Sequence, residues 1–215
     1  IGVAQGLAWL SAPFTVFALM CLKNGVNMSD GVDGLAPSIV LGWLLLMVPW
    51  AVGHAVELAP VLLIVTAALG VVAGFNWTGR LFLGDTGAYG LSFLAGFLGI
   101  YLYNRAGGAL PAELVALWFL IPVLDMGRML VLRLYQGRHP FAADEQHLHH
   151  RLLALGGKRM TVLIYLGLVV GPPLLVTVFP GTLGLAVGLS AAAYVGVLAA
   201  ARGRLPARAR RLFRF

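Results

Sequence analysis

The chain has 215 residues, 60% hydrophobic and 11% charged, with a net charge of +7 and a mean hydropathy of +0.91. Soluble domains carry charge on about a quarter of their residues, so this composition excludes a soluble globular enzyme and a disordered chain. The single cysteine, Cys21, excludes an internal disulfide framework.

The sequence opens on Ile1 with an apolar run and no basic stretch before it, which does not fit a signal peptide and is expected of a fragment starting near a helix. Apolar runs follow at 3–22, 35–52, 58–75, 88–103, 110–132, 161–179 and 183–201. Each approaches the roughly 20 residues needed to cross the hydrocarbon core. Gly and Pro recur inside them, which bilayer helices tolerate. The expected fold is all-α: a polytopic transmembrane helical bundle of about seven spans, forming one integral-membrane domain over 1–215.

The connections alternate between two faces. The segments 23–34, 76–87, 133–160 and a basic tail at 202–215 carry nearly all the Lys and Arg, whereas 53–57, 104–109 and 180–182 contribute only Arg105. The positive-inside rule places the first set in the cytoplasm and the protein in the inner (plasma) membrane as a multi-pass chain. The basic excess then reads as topology and attraction to anionic lipid, not as a nucleic-acid footprint. Every aspartate except Asp125 and every histidine except His54 falls on that same face. A site there, facing the cytoplasm, follows.

The first polar segment, NGVNMSDGVDG at 24–34, sets Asp30 and Asp33 three apart, on neighbouring positions if they open the second helix. Ser29 is a candidate N-cap and Pro37 suits a first turn. Asn27 offers an amide oxygen to a hard cation or an amide edge to a base. An interfacial turn rich in Asn, Asp and Gly is the plain alternative. In the second segment, FNWTGRLFLGDTG at 75–87, Asp85 lies between Gly84 and Gly87 at a helix start. One such carboxylate suffices for Mg²⁺ when phosphates complete the shell, although it also suits a simple cap. Asn76 and Phe75 could bond and stack on a base, or Phe75 could be an interfacial aromatic.

In the third segment, RHPFAADEQHLHHRLL at 138–153, His147 and His150 are three apart and could share a helical face, with Arg151 beside them. Leu148, Leu152 and Leu155 form an apolar stripe suited to lying on the membrane. The imidazoles offer cationic or donor groups to a diphosphate. Zinc is a rival that would need Asp144 and Glu145 in its shell, and a solvated amphipathic helix is the plain alternative. Asp125 and Arg128, three apart inside the fifth run, suit either a functional site or a structural ion pair.

Together NMSDGVDGL at 27–35, FLGDTG at 82–87 and DEQHLHHRL at 144–152, with PVLDM at 122–126 and Pro140-Phe141, resemble the polyprenyl-phosphate N-acetylhexosamine-1-phosphate transferase family (glycosyltransferase family 4). The His-Leu-His-His form is similar to the undecaprenyl-phosphate N-acetylglucosaminyl-1-phosphate transferase branch more than to the phospho-N-acetylmuramoyl-pentapeptide transferase branch. The resemblance implies transfer of N-acetylhexosamine 1-phosphate from a UDP-N-acetylhexosamine to undecaprenyl phosphate, releasing UMP, with Mg²⁺ as cofactor, as the first membrane step of cell-surface glycan synthesis. It implies Asp85 as metal ligand with Asn27, and Asp30, Asp33 and His147 as further catalytic residues. Asn76, His149, His150 and Arg151 would bind substrate. The bilayer and the two substrates are the expected partners, with a homodimer as a further expectation. The family also has an upstream motif of adjacent aspartates. This chain has no Asp-Asp pair, so the resemblance covers the family's later spans. The stretch from Asn76 to Asp85 is about one residue shorter than expected, with Thr78-Gly79 in place of a proline-containing turn. The rival reading is a non-catalytic membrane protein such as a transporter, with substrate at the midplane.

Overall fold

The computed structural model describes residues 11–139 and 146–202. The start of the first expected span, Asp144, Glu145 and the basic tail beyond Arg202 lie outside the described residues. Seven helices follow in order: α1 Ser11–Ser29, α2 Leu35–His54, α3 Ala59–Trp77, α4 Gly84–Arg105, α5 Ala112–Tyr135, α6 Leu148–Val178 and α7 Leu183–Arg202. No strand occurs among the described residues, as the all-α expectation required. Among the described residues six helices, α2 to α7, are long and apolar enough to cross a membrane. The protein is a multi-pass membrane protein.

The centre of the bundle is α2, which packs against α3, α4 and α6, while α1 packs on α4 and α5 and α6 packs on α5 and α7. Its Ile39, Trp43, Leu44 and Met47 are fully buried, and Trp43 meets Phe119 of α5 edge-on, 4.8 Å between centroids. Apolar side chains all round the outer helices face outward instead: Ile64 on α3 and Leu163 on α6 are each 70% exposed, the pattern of a helix bathed in lipid. Small residues bring helices close. At Gly25 a Cβ would stand 2.9 Å from the Pro122 carbonyl oxygen, so α1 and α5 touch backbone to backbone there.

Three boundaries differ from expectation. The first helix does not stop at the membrane edge but runs to Ser29, through Asn24 and Asn27. Ser29 therefore caps nothing: its hydroxyl donates to the Gly25 carbonyl and bonds the Tyr165 hydroxyl at 3.1 Å, and α2 starts behind Gly34 without a side-chain cap. The fourth helix begins at Gly84, so Asp85 lies in its first turn. The described end of the third polar segment is helical from Leu148, where α6 starts, and the α6 backbone breaks at Gly156 and Gly157. Gly157, at φ 75° and ψ −176°, holds a conformation open essentially to glycine alone. The short helix before the break does not lie on the membrane: Leu148 and Leu152 are fully buried in the bundle.

Alternation of helix direction brings the end of α1, the start of α2, the end of α3, the start of α4, the end of α5 and the start of α6 to one end of the bundle. At the opposite end Arg105 pairs with Glu57 at 3.1 Å, joining the connections after α2 and α4.

Candidate functional site

The first and second polar segments meet through Asn27 and Asp85. The helical extension of α1 carries the Asn27 amide out to the first turn of α4, where Nδ2 donates to Asp85 Oδ1 at 3.0 Å. Asp30 sits in the turn after α1. Partial burial, then the nearby carboxylates of Asp85 and Asp33, push its carboxyl up to about 6. That value records the site's electrostatics: burial first, then two carboxylates close enough to disfavour a charge on Asp30. Asp33, more exposed, faces Lys158 Nζ at 3.4 Å.

Such a cluster fits a hard divalent cation. Among the described residues no three acidic, histidine or cysteine side chains converge into a complete protein shell. Mg²⁺ does not need one, since it takes one or two carboxylates and leaves the remaining positions to phosphates and water. The same finding gives no support to a zinc site built on the histidines, whose remaining acids, Asp144 and Glu145, lie outside the described residues.

Two ties draw the second and third segments onto the first. Asn76, expected to face a nucleobase, is 2% exposed and spends its amide on backbone. Its Oδ1 accepts from the Gly34 N–H at 2.5 Å and its Nδ2 donates to the Leu81 carbonyl at 2.8 Å. It thus locks the turn before α2 to the loop before α4. Phe75, on the outer face of α3, is 48% exposed and outside this tie. Lys158, just past the α6 break, reaches over the Trp77 ring, 5.0 Å from its centroid, and donates to the Trp77 carbonyl at 2.5 Å while facing Asp33. Sequence reasoning counted Lys158 only as a topology charge. Its partners are distant in sequence, and no local spacing pointed to it.

The histidines form a stack, not the expected His147–His150 face. The His147 and His149 rings lie 5.9 Å apart and nearly parallel, and His149 touches His150 at 4.1 Å. His149 is 2% exposed, its Nε2 has no hydrogen-bond partner among the described residues, and a Cβ on Gly31 would lie 2.5 Å from that nitrogen. Only glycine lets the acidic turn sit directly on this ring. Arg151 is buried and its Nε donates to the Gln146 carbonyl at 3.2 Å, an oxygen that also accepts from Arg128 Nη2 at 2.7 Å.

Asp125 lies beneath the stack. It is 4% exposed and pairs with Arg128 at 2.7 Å, so the structural ion pair expected as one alternative is present. It also bonds His147 Nδ1 at 3.0 Å. Removing one partner of such a buried pair costs about 3–5 kcal/mol. The fold therefore joins Asn27, Asp30, Asp85, Gly31, His149 and His147 in one chain of contacts at one end of the bundle.

The family model described as glycosyl transferase family 4 matches residues 2–103. A "Probable undecaprenyl-phosphate N-acetylglucosaminyl 1-phosphate transferase" of Bacillus subtilis is 27% identical over 74% of this chain and 45% of its own length. An "Undecaprenyl-phosphate alpha-N-acetylglucosaminyl 1-phosphate transferase" of Yersinia pestis is 32% identical over 66% of this chain and 40% of its own. A "Decaprenyl-phosphate N-acetylglucosaminephosphotransferase" of Mycolicibacterium smegmatis is 31% identical over 71% and 43%. The chain spans less than half the length of these curated relatives. No solved structure matches it.

Proposed function

This chain belongs to glycosyl transferase family 4, and on that premise we propose that it acts as the later part of a polyprenyl-phosphate sugar-1-phosphate transferase working on the cytoplasmic face of the inner membrane. The donor in this reading is a UDP-N-acetylhexosamine, best matched by UDP-N-acetylglucosamine, and the acceptor is undecaprenyl phosphate. A phosphate oxygen of the lipid forms a bond to the sugar-bearing phosphorus, the bond from that phosphorus to the UMP oxygen breaks, and UMP leaves with the electron pair. The product would begin a cell-surface glycan.

The observation that supports this reading best is the meeting of Asn27 with Asp85 beside an Asp30 whose carboxyl burial and its acidic neighbours push up to about 6. Asp85, with Asp30 and the Asn27 amide oxygen at hand, would hold Mg²⁺, which supplies charge neutralisation for a diphosphate. Asn27 orients the Asp85 carboxylate. Asp33 is steadied by Lys158, which fixes the acidic turn against α3 and α6. The His147–His149–His150 stack and Arg151 stand across that turn as the groups that would receive the diphosphate and sugar. Positioning two anions against each other is most of the catalytic task in phosphoryl transfer. The intramembrane pair Asp125–Arg128 is spent on internal bonds, which weighs against a transporter's midplane site.

In the full-length protein, Asp85→Asn is expected to abolish UMP release while membrane insertion is unchanged. Labelled UMP should exchange into UDP-N-acetylglucosamine only with Mg²⁺ present. Retained activity of the variant at saturating Mg²⁺ removes Asp85 as the principal ligand, and absence of any exchange in the wild type overturns the transferase reading.

A further inference from the structure

We propose that Asp125 is a positioning residue that fixes the tautomer and aim of His147. Its effect on rate rests on the transferase reading, but the tautomer itself does not. The two carboxylate oxygens divide their partners. Oδ1 accepts from Arg128 Nη2 at 2.7 Å, from Arg128 Nε at 3.2 Å and from the Tyr194 hydroxyl at 3.0 Å. Oδ2 takes the Leu148 N–H and His147 Nδ1, each at 3.0 Å. One oxygen therefore ties α5 to α7, and the other holds the first residue of α6 and the imidazole just before it.

The hydrogen on His147 is decided from both sides. An ionised carboxylate only accepts, so the hydrogen belongs on Nδ1. On the other side Nε2 lies 3.5 Å from Arg133 Nη2, and a guanidinium only donates. Both neighbours select the Nδ1–H form and leave Nε2 as the basic nitrogen. A histidine held this way by a buried acid keeps one ring orientation and one basic nitrogen. Because His147 stacks on His149, and His149 lies under Gly31, that orientation passes to the acidic turn.

An amide separates the two roles because it has one acceptor oxygen where the carboxylate has two. In Asp125→Asn the oxygen must serve either the Arg128 side or the His147 side, and the other side meets an amide N–H₂. The experiment uses full-length protein with nitrogen-labelled histidine, the His147 signal assigned with His147→Asn. Wild type is expected to show Nδ1–H at His147. An Nε2–H signal overturns the proposal, whatever the transfer assay gives, and needs no Asp125 variant to fold. Asp125→Asn is expected to shift the signal toward Nε2–H and lower kcat about 10²-fold with KM for the UDP-sugar changed less than about threefold. Tyr194→Phe, which removes a bond from Oδ1 and one from Arg128 Nε but none from Oδ2, is expected to keep the Nδ1–H form and lose less rate. In a His147→Asn background the Asp125→Asn change should cost little further rate, although thermal stability still falls. Rate losses that multiply in the double variant, or equal tautomer shifts in Asp125→Asn and Tyr194→Phe, overturn the proposal. A wild type without transfer activity overturns the transferase reading and leaves the tautomer result standing.

Discussion

Asp30 shows how one side chain carries the electrostatics of the whole site. Its carboxyl lies near 6 against an ordinary 3.8, because it is half out of water and faces Asp85 and Asp33. The folded protein thus binds a proton that the unfolded chain releases between these two values. Without divalent cation, stability is greatest below about 4 as far as this group is concerned, and falls as pH rises through about 6. In the proposed reading a bound cation would reverse the sense, since it would displace the proton and bind more tightly above about 6. We expect Asp30→Asn to flatten the loss of thermal stability between about pH 4 and about pH 7 in chelator, and to lower sugar-phosphate transfer. A melting profile with the same slope as wild type would show that Asp30 is not the titrating group. Much at this scale was legible: the Asp-Asn-Gly run and the glycine-flanked Asp85 marked themselves by composition in an apolar chain. Asn76 and His149 were marked too, but not what they meet, because whether an amide or imidazole meets ligand or backbone depends on what packs over it. For Asn76 that is Gly34 and Leu81, and for His149 it is Gly31.

Among the helices, α1 and α6 depart most from a reading by hydropathy. Polar residues at 23–29 look like a connection because they leave the apolar run, yet the helix continues, since its backbone bonds are satisfied internally and Gly25 and Val26 are buried against the bundle. That extra length delivers Asn27 to Asp85. In α6 the break at Gly156 and Gly157 turns the short helix carrying the histidines away from the span behind it, and Lys158 braces the corner on Trp77. The backbone-to-backbone approach of α1 and α5 makes a direct test. Gly25→Ala would drive a Cβ to 2.9 Å from the Pro122 carbonyl oxygen, backbone that has little room to retreat. It is expected to destabilise the protein by about 1–3 kcal/mol in a detergent melt. Gly53→Ala, where a Cβ meets nothing within 4 Å, should cost far less. Equal effects would mean that α1 and α5 do not pack as described.

For the whole molecule, the alternation of apolar spans and one-sided Lys and Arg assigns each connection to a side, and it can be checked without any activity. In a Cys21→Ser background, Ala109→Cys in the connection after α4 is expected to react with a membrane-impermeant thiol reagent on intact cells. Arg80→Cys should react only after permeabilisation. The reverse pattern would place the acidic site outside. The helical class and the multi-pass architecture were determined by sequence alone, and six of the seven expected spans are long and apolar enough to cross among the described residues. The hydrocarbon core demands length and apolarity of every crossing and penalises charge everywhere else, so the constraint is written residue by residue along the chain. Which oxygen of Asp125 holds His147, which ring lies under Gly31, and that Lys158 closes on Trp77 and Asp33 were decided only by tertiary structure. These are contacts between helices far apart in sequence, set by how small residues let the helices approach, and no local pattern encodes the angle or register at which two packed helices meet.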